Sequence, residues 1–237
     1  MKKTSLFLIF SLFSVSVHSH QKVKPKTSKP KQACEYEQKM REQGLVNIQE
    51  IDPSILVELK YSTTDNFVGK DVYGCITQCF MQKRPAEMLA KACELLQKKY
   101  PNYRLLVYDG GRPVHFQKVL WNSLPQYAPR ERSKYVANPS AEGSIHSYGS
   151  AVDLTIATTD GLPLDMGTKY DYFGELAYPK KEAYFLKTKK LNEKQINNRL
   201  ILRSVMKAAG YMPIDYEWWH FNAFSRHTAK ANYRIIQ

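Results

Sequence analysis

The chain has 237 residues and a formal net charge of +13, which leaves room for one sizeable domain and little more. Seven lysines in the first 34 residues carry more than half of that charge and leave +6 on residues 35–237. No recognisable nucleic-acid-binding motif accompanies the charge, so a nucleic-acid partner is not expected.

Residues 1–19 read as a signal peptide. Lys2 and Lys3 open it, Leu6 to Val17 is an apolar run broken only by serines, and Val17-His18-Ser19 offers small residues where a signal peptidase cuts. The run is short for a membrane span, although an uncleaved N-terminal anchor is the alternative. No later segment is apolar and long enough to cross a bilayer, so no stable membrane insertion is expected once the signal is removed. Residues 20–34 form a basic linker in which Lys22, Lys24, Lys26, Lys29 and Lys31 alternate with Pro25, Pro30 and small polar residues. Such a composition cannot bury apolar surface and stays extended. The domain proper is 35–237. The chain's four cysteines, Cys34, Cys75, Cys79 and Cys93, are disulfide candidates in an exported protein, with three possible pairings. A cysteine metal site and free thiols are the alternatives.

Within the domain, Arg84 to Lys99 predicts a helix, with Pro85 in its first turn and Leu89, Ala92, Cys93 and Leu96 on one face. Tyr103 to Tyr108 predicts a strand, broken by Asp109-Gly110-Gly111-Arg112-Pro113. A second helix covers His115 to Leu124. Gly143 to Ser150 reads as a loop leading into a strand at Ala151 to Ala157. Asn192 to Ala209 gives the strongest helical signal, with Asn192 as cap and Gly210 after the last turn. Tyr216 to Phe221 is most simply a buried aromatic strand. Helices and strands alternate without a regular βαβ rhythm, which favours α+β.

Two segments carry the chemistry. Ser144 to Asp153 supplies His146 and Asp153, and Glu217-Trp218-Trp219-His220 supplies a second imidazole and a spare carboxylate. Two histidines and an aspartate make a three-ligand set for a catalytic zinc, which keeps its fourth position for water. A carboxylate that is not a ligand can take that water's proton. Asp153 lies in an apolar strand, where an unpaired charge is costly; a metal or an arginine can meet it. Glu217 and His220 are three apart, so a strand needs a bend at Trp218-Trp219 to turn both toward one site, whereas a helix places them on one face. Arg112, in a Gly-Gly-Arg-Pro turn, presents a guanidinium suited to an oxyanion or a carboxylate. His115 and His227 read as structural or surface residues.

The pattern Ser144-x-His146-x-x-Gly149-x-Ala151-x-Asp153 with Glu217-x-x-His220 resembles the zinc D,D-peptidases. These share the hedgehog/D,D-peptidase fold, a single α+β domain with a mainly antiparallel sheet flanked by helices. Tyr61 to Lys70, Asp109-Gly110-Gly111-Arg112-Pro113, Asp165-Met166-Gly167-Thr168 and Asn198-Arg199 narrow the likeness to the VanX-type D-alanyl-D-alanine dipeptidases. The resemblance runs from about Ile48 to Phe221. It implies one Zn²⁺ per chain on His146, Asp153 and His220, Glu217 as general base and then proton donor, and Arg112 at the tetrahedral intermediate. It also implies a small D,D-dipeptide substrate, in periplasmic or extracellular cell-wall peptide turnover or recycling. Gly111 stands where the family often has a tyrosine, a departure that bears on the shape of the pocket and the side-chain preference. The rival expectations are a zinc D,D-carboxypeptidase acting on longer peptidoglycan peptides, a non-catalytic zinc-stabilised cell-wall-binding domain, and a basic polymer-binding protein. Oligomeric state is not legible.

Overall fold

The computed structural model describes residues 33–139 and 143–237, with Met1. The expected signal segment and all but the end of the basic linker lie outside the described residues. Ala33–Gln237 packs as one unit. It opens with α1 (Glu35–Glu42), β1 (Val46–Asn47), α2 (Ile48–Ile51), β2 (Leu56–Val57), β3 (Phe80–Met81) and α3 (Lys83–Lys99). The middle holds β4 (Tyr103–Asp109), α4 (Val114–Asn122), α5 (Pro129–Arg132) and β5 (Ala151–Thr158). Then come α6 (Glu182–Lys187), α7 (Glu193–Ala208), β6 (Met212–Pro213), β7 (His220–Asn222) and α8 (Arg226–Asn232).

The main sheet has the order β2-β4-β5-β7-β6, with β2 and β4 parallel and every other pair antiparallel. The expected α+β class with a mainly antiparallel sheet is what the chain forms. β4 and β5 lie at its centre. Seven of the eight β5 residues are buried, as expected for a strand covered on both faces. Successive side chains alternate between those faces. Val152, Leu154 and Ile156 join the main core with Leu89 and Leu96 of α3 and Leu202 and Met206 of α7. Asp153, Thr155 and Ala157 point the other way, where Leu106, Tyr108 and Ala157 make a small separate cluster. The pairing of β4 with β5 shifts between Val107 and Asp109, so that Asp109 stands opposite Asp153. Such a bulge re-aims side chains at a strand's end.

The helix ends follow local chemistry. Asn192 caps α7 through a reciprocal box, its side chain accepting from Gln195 N and Gln195 accepting from Asn192 N. Gly210 takes φ +97° just past the last turn, a conformation that costs glycine nothing.

Two expectations are corrected. Of the predicted 216–221 strand only His220 and Phe221 are extended, as the start of β7; Trp218 and Trp219 are bends and Tyr216 is 50% exposed. The tryptophans bury their rings at 5% and 2% exposure by leaving the sheet rather than alternating across it. The cysteines do not all pair. Cys34 is bonded to Cys75, while Cys79 and Cys93 are buried free thiols. Cys79 packs against the backbone of Gly110, and Cys93 sits between Ser54 and Gln97. Among the described residues no helix is long and apolar enough to cross a membrane.

Candidate metal centre

His146 stands on a 3-10 turn, Ile145–Tyr148, whose first free amide is capped by the Ser144 hydroxyl. Gly149 ends the turn at φ +66°, and a Cβ there would lie 3.1 Å from Gln82 N. Both the left-handed backbone and the close approach call for glycine. The His146 ring is 3% exposed, and its Nδ1 lies 2.8 Å from the Gly110 carbonyl. That carbonyl only accepts, so Nδ1 carries the proton and Nε2 turns a lone pair into the site.

Asp153 of β5 and His220 of β7 are direct partners in the antiparallel ladder. His220 Nε2 lies 2.9 Å from Asn222 Oδ1, which leaves Nδ1 facing inward. His220 Nδ1 is 2.9 Å from Asp153 Oδ1 and 3.2 Å from His146 Nε2, and His146 Nε2 is 3.3 Å from Asp153 Oδ1. The second oxygen, Oδ2, accepts from the Tyr170 hydroxyl at 2.9 Å. In these tautomers three lone pairs converge, and a cation between them removes the repulsion. These ligand atoms form a set able to hold a metal ion. The outer partners Gly110, Asn222 and Tyr170 fix tautomer and aim, as second-sphere groups do.

The two bends at Trp218 and Trp219 return Glu217 to the same place, so the bend required of an extended segment is what the chain uses. Trp218 Nε1 donates to Thr168 Oγ1 at 2.7 Å and anchors the bend. Glu217 Oε2 stands 4.0 Å from His220 Nδ1, beside the cluster and outside it. Its side chain keeps 26% of its surface open to the cavity, but protein surrounds it densely, and that burial pushes its carboxyl up to about 7.

Arg112 is 6% exposed. Its Nε donates to Asp109 Oδ2 at 2.9 Å, Nη2 binds the same oxygen, and Nη1 donates to Gln117 Oε1 at 2.7 Å. Asp109 is held in turn by the Tyr73 hydroxyl at 2.7 Å and the Gly110 amide at 2.9 Å. Burial opposes the guanidinium charge most strongly, but Asp109 and then Tyr73, Tyr61 and Tyr170 together outweigh it and hold Arg112 above the ordinary arginine range. Arg112 N also donates to the His146 carbonyl at 3.0 Å, tying the two loops together. His146, Arg112, Glu217 and His220 all line a cavity of about 270 Å³. His115 and His227 lie exposed, away from it.

Tyr170 and Asp171 belong to the site and escaped the sequence analysis. Asp171 lines the cavity and accepts from the Tyr61 hydroxyl at 2.9 Å. Burial, and then the Asp153 charge, push its carboxyl up to about 8. The available signal was the Asp165-to-Thr168 block just upstream. Asn198 Nδ2 donates to Asp165 O at 2.9 Å, and Arg199 Nε to Met166 O at 2.7 Å. The two blocks therefore dock on each other and deliver Tyr170 and Asp171. Gly111 does not line the cavity. Its amide donates to Phe80 O at 2.7 Å, and a Cβ there would lie 2.6 Å from that oxygen and 3.0 Å from Ile236 Cδ1. Its departure from the family pattern answers packing between β3 and Ile236 rather than pocket shape.

Two imidazoles, a carboxylate and a free glutamate in one small cavity are the equipment of metal-assisted hydrolysis, and comparison with known proteins agrees: the chain is a metallopeptidase. It belongs to the peptidase M15 family described as D-Ala-D-Ala dipeptidase, whose model matches residues 41–235. It is 34% identical to a D-alanyl-D-alanine dipeptidase of Escherichia coli (strain K12) over 177 residues, covering 75% of this chain and 83% of that one. A D-alanyl-D-alanine dipeptidase of Enterococcus faecium is 33% identical over 75% of this chain and 90% of its own. One from Enterococcus faecalis (strain ATCC 700802 / V583) is 27% identical over 76% and 91%.

Proposed function

We propose that this chain hydrolyses D-alanyl-D-alanine with one zinc ion held by His146, Asp153 and His220. The observation that carries the reading is the spacing of the three ligand atoms, 2.9, 3.2 and 3.3 Å apart. Ligands on a tetrahedral zinc with bonds of about 2.0–2.1 Å stand about 3.3 Å from one another, so the cluster is close to the size the ion needs. Zinc there supplies Lewis acidity, polarising the scissile carbonyl and bringing a water's pKa to ~7.

The chain's own residues do the rest. Glu217 takes the proton of the attacking water and returns one to the leaving amine, a task suited to a carboxyl lifted to about 7. Arg112, locked by Asp109 and Gln117, meets the oxyanion of the tetrahedral intermediate without having to reorganise. Asp171 accepts from Tyr61 through one oxygen and lines the cavity, where it accepts a hydrogen bond from the substrate's ammonium. The cavity of about 270 Å³ is small for an organic ligand site. That suits a free dipeptide better than a longer wall peptide, and so favours the dipeptidase over the carboxypeptidase alternative. The D,D preference rests on the family and its relatives.

Export by residues 1–19 would place the enzyme in the periplasm or outside the cell, for turnover or recycling of wall-derived dipeptides. The Cys34–Cys75 bond supports an oxidising compartment. Metal analysis with a panel of D,D-, L,D- and L,L-dipeptides and a D,D-ended pentapeptide tests the reading. We expect about one zinc per chain and turnover confined to the D,D-dipeptide. Faster cleavage of the pentapeptide, or of an L,L-dipeptide, would overturn it.

A further inference from the structure

A second cavity, of about 770 Å³, has Thr155 and Tyr108 in its lining. Thr155 lies two residues along β5 from Asp153, on the same face of the sheet. Tyr170 and Asp171 line this cavity too and form the partition, since Asp171 also lines the smaller cavity and the Tyr170 hydroxyl rests on Asp153. None of His146, Asp153, Glu217, His220 or Arg112 lines the larger one.

Its hydrogen-bonding groups are unevenly used. Every carboxylate in the lining is engaged: Asp65 by Lys60, Asp165 by the Gly167 amide and Gln195, Asp171 by Tyr61. The donors are not. The Thr155 hydroxyl is buried, in a residue 1% exposed, with no hydrogen-bond partner among the described residues. No described residue hydrogen-bonds the Tyr108 hydroxyl, whose ring lies at 5% exposure. Lys169, exposed on the rim, bears on Asp65 by charge alone. An orphaned buried hydroxyl is costly and calls for an occupant that accepts from it. The rings of Tyr108, Tyr170 and Trp218 give the remaining lining an apolar character, and the volume lies in the range of sites for organic molecules larger than a dipeptide.

We propose that this cavity is a binding site for a small amphipathic carboxylate. Its apolar body lies against Tyr108, Tyr170 and Trp218, an acceptor partway along it meets the Thr155 and Tyr108 hydroxyls, and its carboxylate pairs with Lys169.

Hippurate (N-benzoylglycine) has these three parts and serves as the probe, with its neutral amide, hippuramide, as control. Titration of the metal-loaded protein, followed by calorimetry and ligand-observed NMR, should show saturable hippurate binding at millimolar concentration or below. Hippuramide should bind several-fold more weakly. Lys169→Gln and Thr155→Val should each weaken hippurate about 3–10-fold, with metal content and dipeptide turnover unchanged. In Glu217→Gln protein, saturating D-alanyl-D-alanine should leave hippurate binding intact. Displacement by the dipeptide together with indifference to Lys169→Gln would mean that the metal site holds the probe, and would overturn the proposal. So would the absence of saturable binding with a higher thermal midpoint for Thr155→Val, which would mean that water alone meets the hydroxyl. Lys169 is exposed, so its variant tests the idea even if Thr155→Val folds poorly.

Discussion

At the scale of single residues, position relative to the cluster separates ligand from base. Glu217 stands 4.0 Å from the His220 ligand atom, outside the ligand triangle. Glu217→Gln should therefore keep its metal while kcat falls ~10²–10⁴-fold; metal analysis beside steady-state kinetics checks it, and loss of the metal would make Glu217 a ligand. Arg112 acts through a planar fork already bound to Asp109 and Gln117. Arg112→Ala should lower kcat ~10²–10³-fold with a smaller change in KM. Arg112→Lys should recover only part of it, because an ammonium cannot hold Asp109 and face the substrate in one plane. A rise in KM alone would make Arg112 a ground-state anchor. Asp171 carries a stability signature. Its carboxyl is lifted to about 8 in the folded chain, so the fold holds a proton that the unfolded chain has released. The stability this gives is complete below the ordinary carboxylate range and is lost as pH rises through about 8. In metal-free protein, Asp171→Asn should shrink the fall in urea midpoint between acid pH and pH 8, since an amide can still accept from Tyr61.

At the scale of elements, the loop after β5 gains its shape from α7. Arg199 is 1% exposed, donates to Met166 O and Leu176 O, and lies 3.5 Å from Glu182 Oε1. Burial pulls its pKa down to about 10 against the pull of Glu182. Arg199→Leu strips two carbonyls and the buried Glu182 carboxylate of a partner and should cost about 3–5 kcal/mol. Because the same loop carries Tyr170 and Asp171, kcat should fall with it while His146, Asp153 and His220 still bind metal. Denaturant midpoints, metal content and turnover measured together test this, and unchanged turnover in a destabilised variant would detach the loop from catalysis. The bulge at the end of β4 is a second such device, setting Asp109 opposite Asp153 and so joining the arginine to the metal cluster.

At the scale of the whole molecule, the Cys34–Cys75 bond ties the first helix to a loop 41 residues on. Closing a loop of that length stabilises by about 2–4 kcal/mol. Cys34→Ser with Cys75→Ser should lower the unfolding free energy by that order and leave metal binding and turnover in place. Thiol titration of the denatured, unreduced chain should find two free sulfhydryls, from Cys79 and Cys93; four would mean that the bond does not form.

By itself the sequence determined the parts of this protein that local chemistry governs. The helix at Asn192 to Ala209, the strand from Ala151, the loop that carries His146 and the spacing of Glu217 and His220 were legible there. Periodicity, caps and ligand types are properties of neighbouring residues. Tertiary structure decided what depends on residues far apart in the chain. The residues beside Asp171 do not mark it as part of the site; Arg199 and Asn198 bring its loop beside the cluster. The cysteine pairing and the clash that makes Gly111 a packing residue rather than a pocket residue were likewise hidden. Each turns on which backbone the fold brings within a few ångströms of a side chain, and spacing along the chain carries no record of that distance.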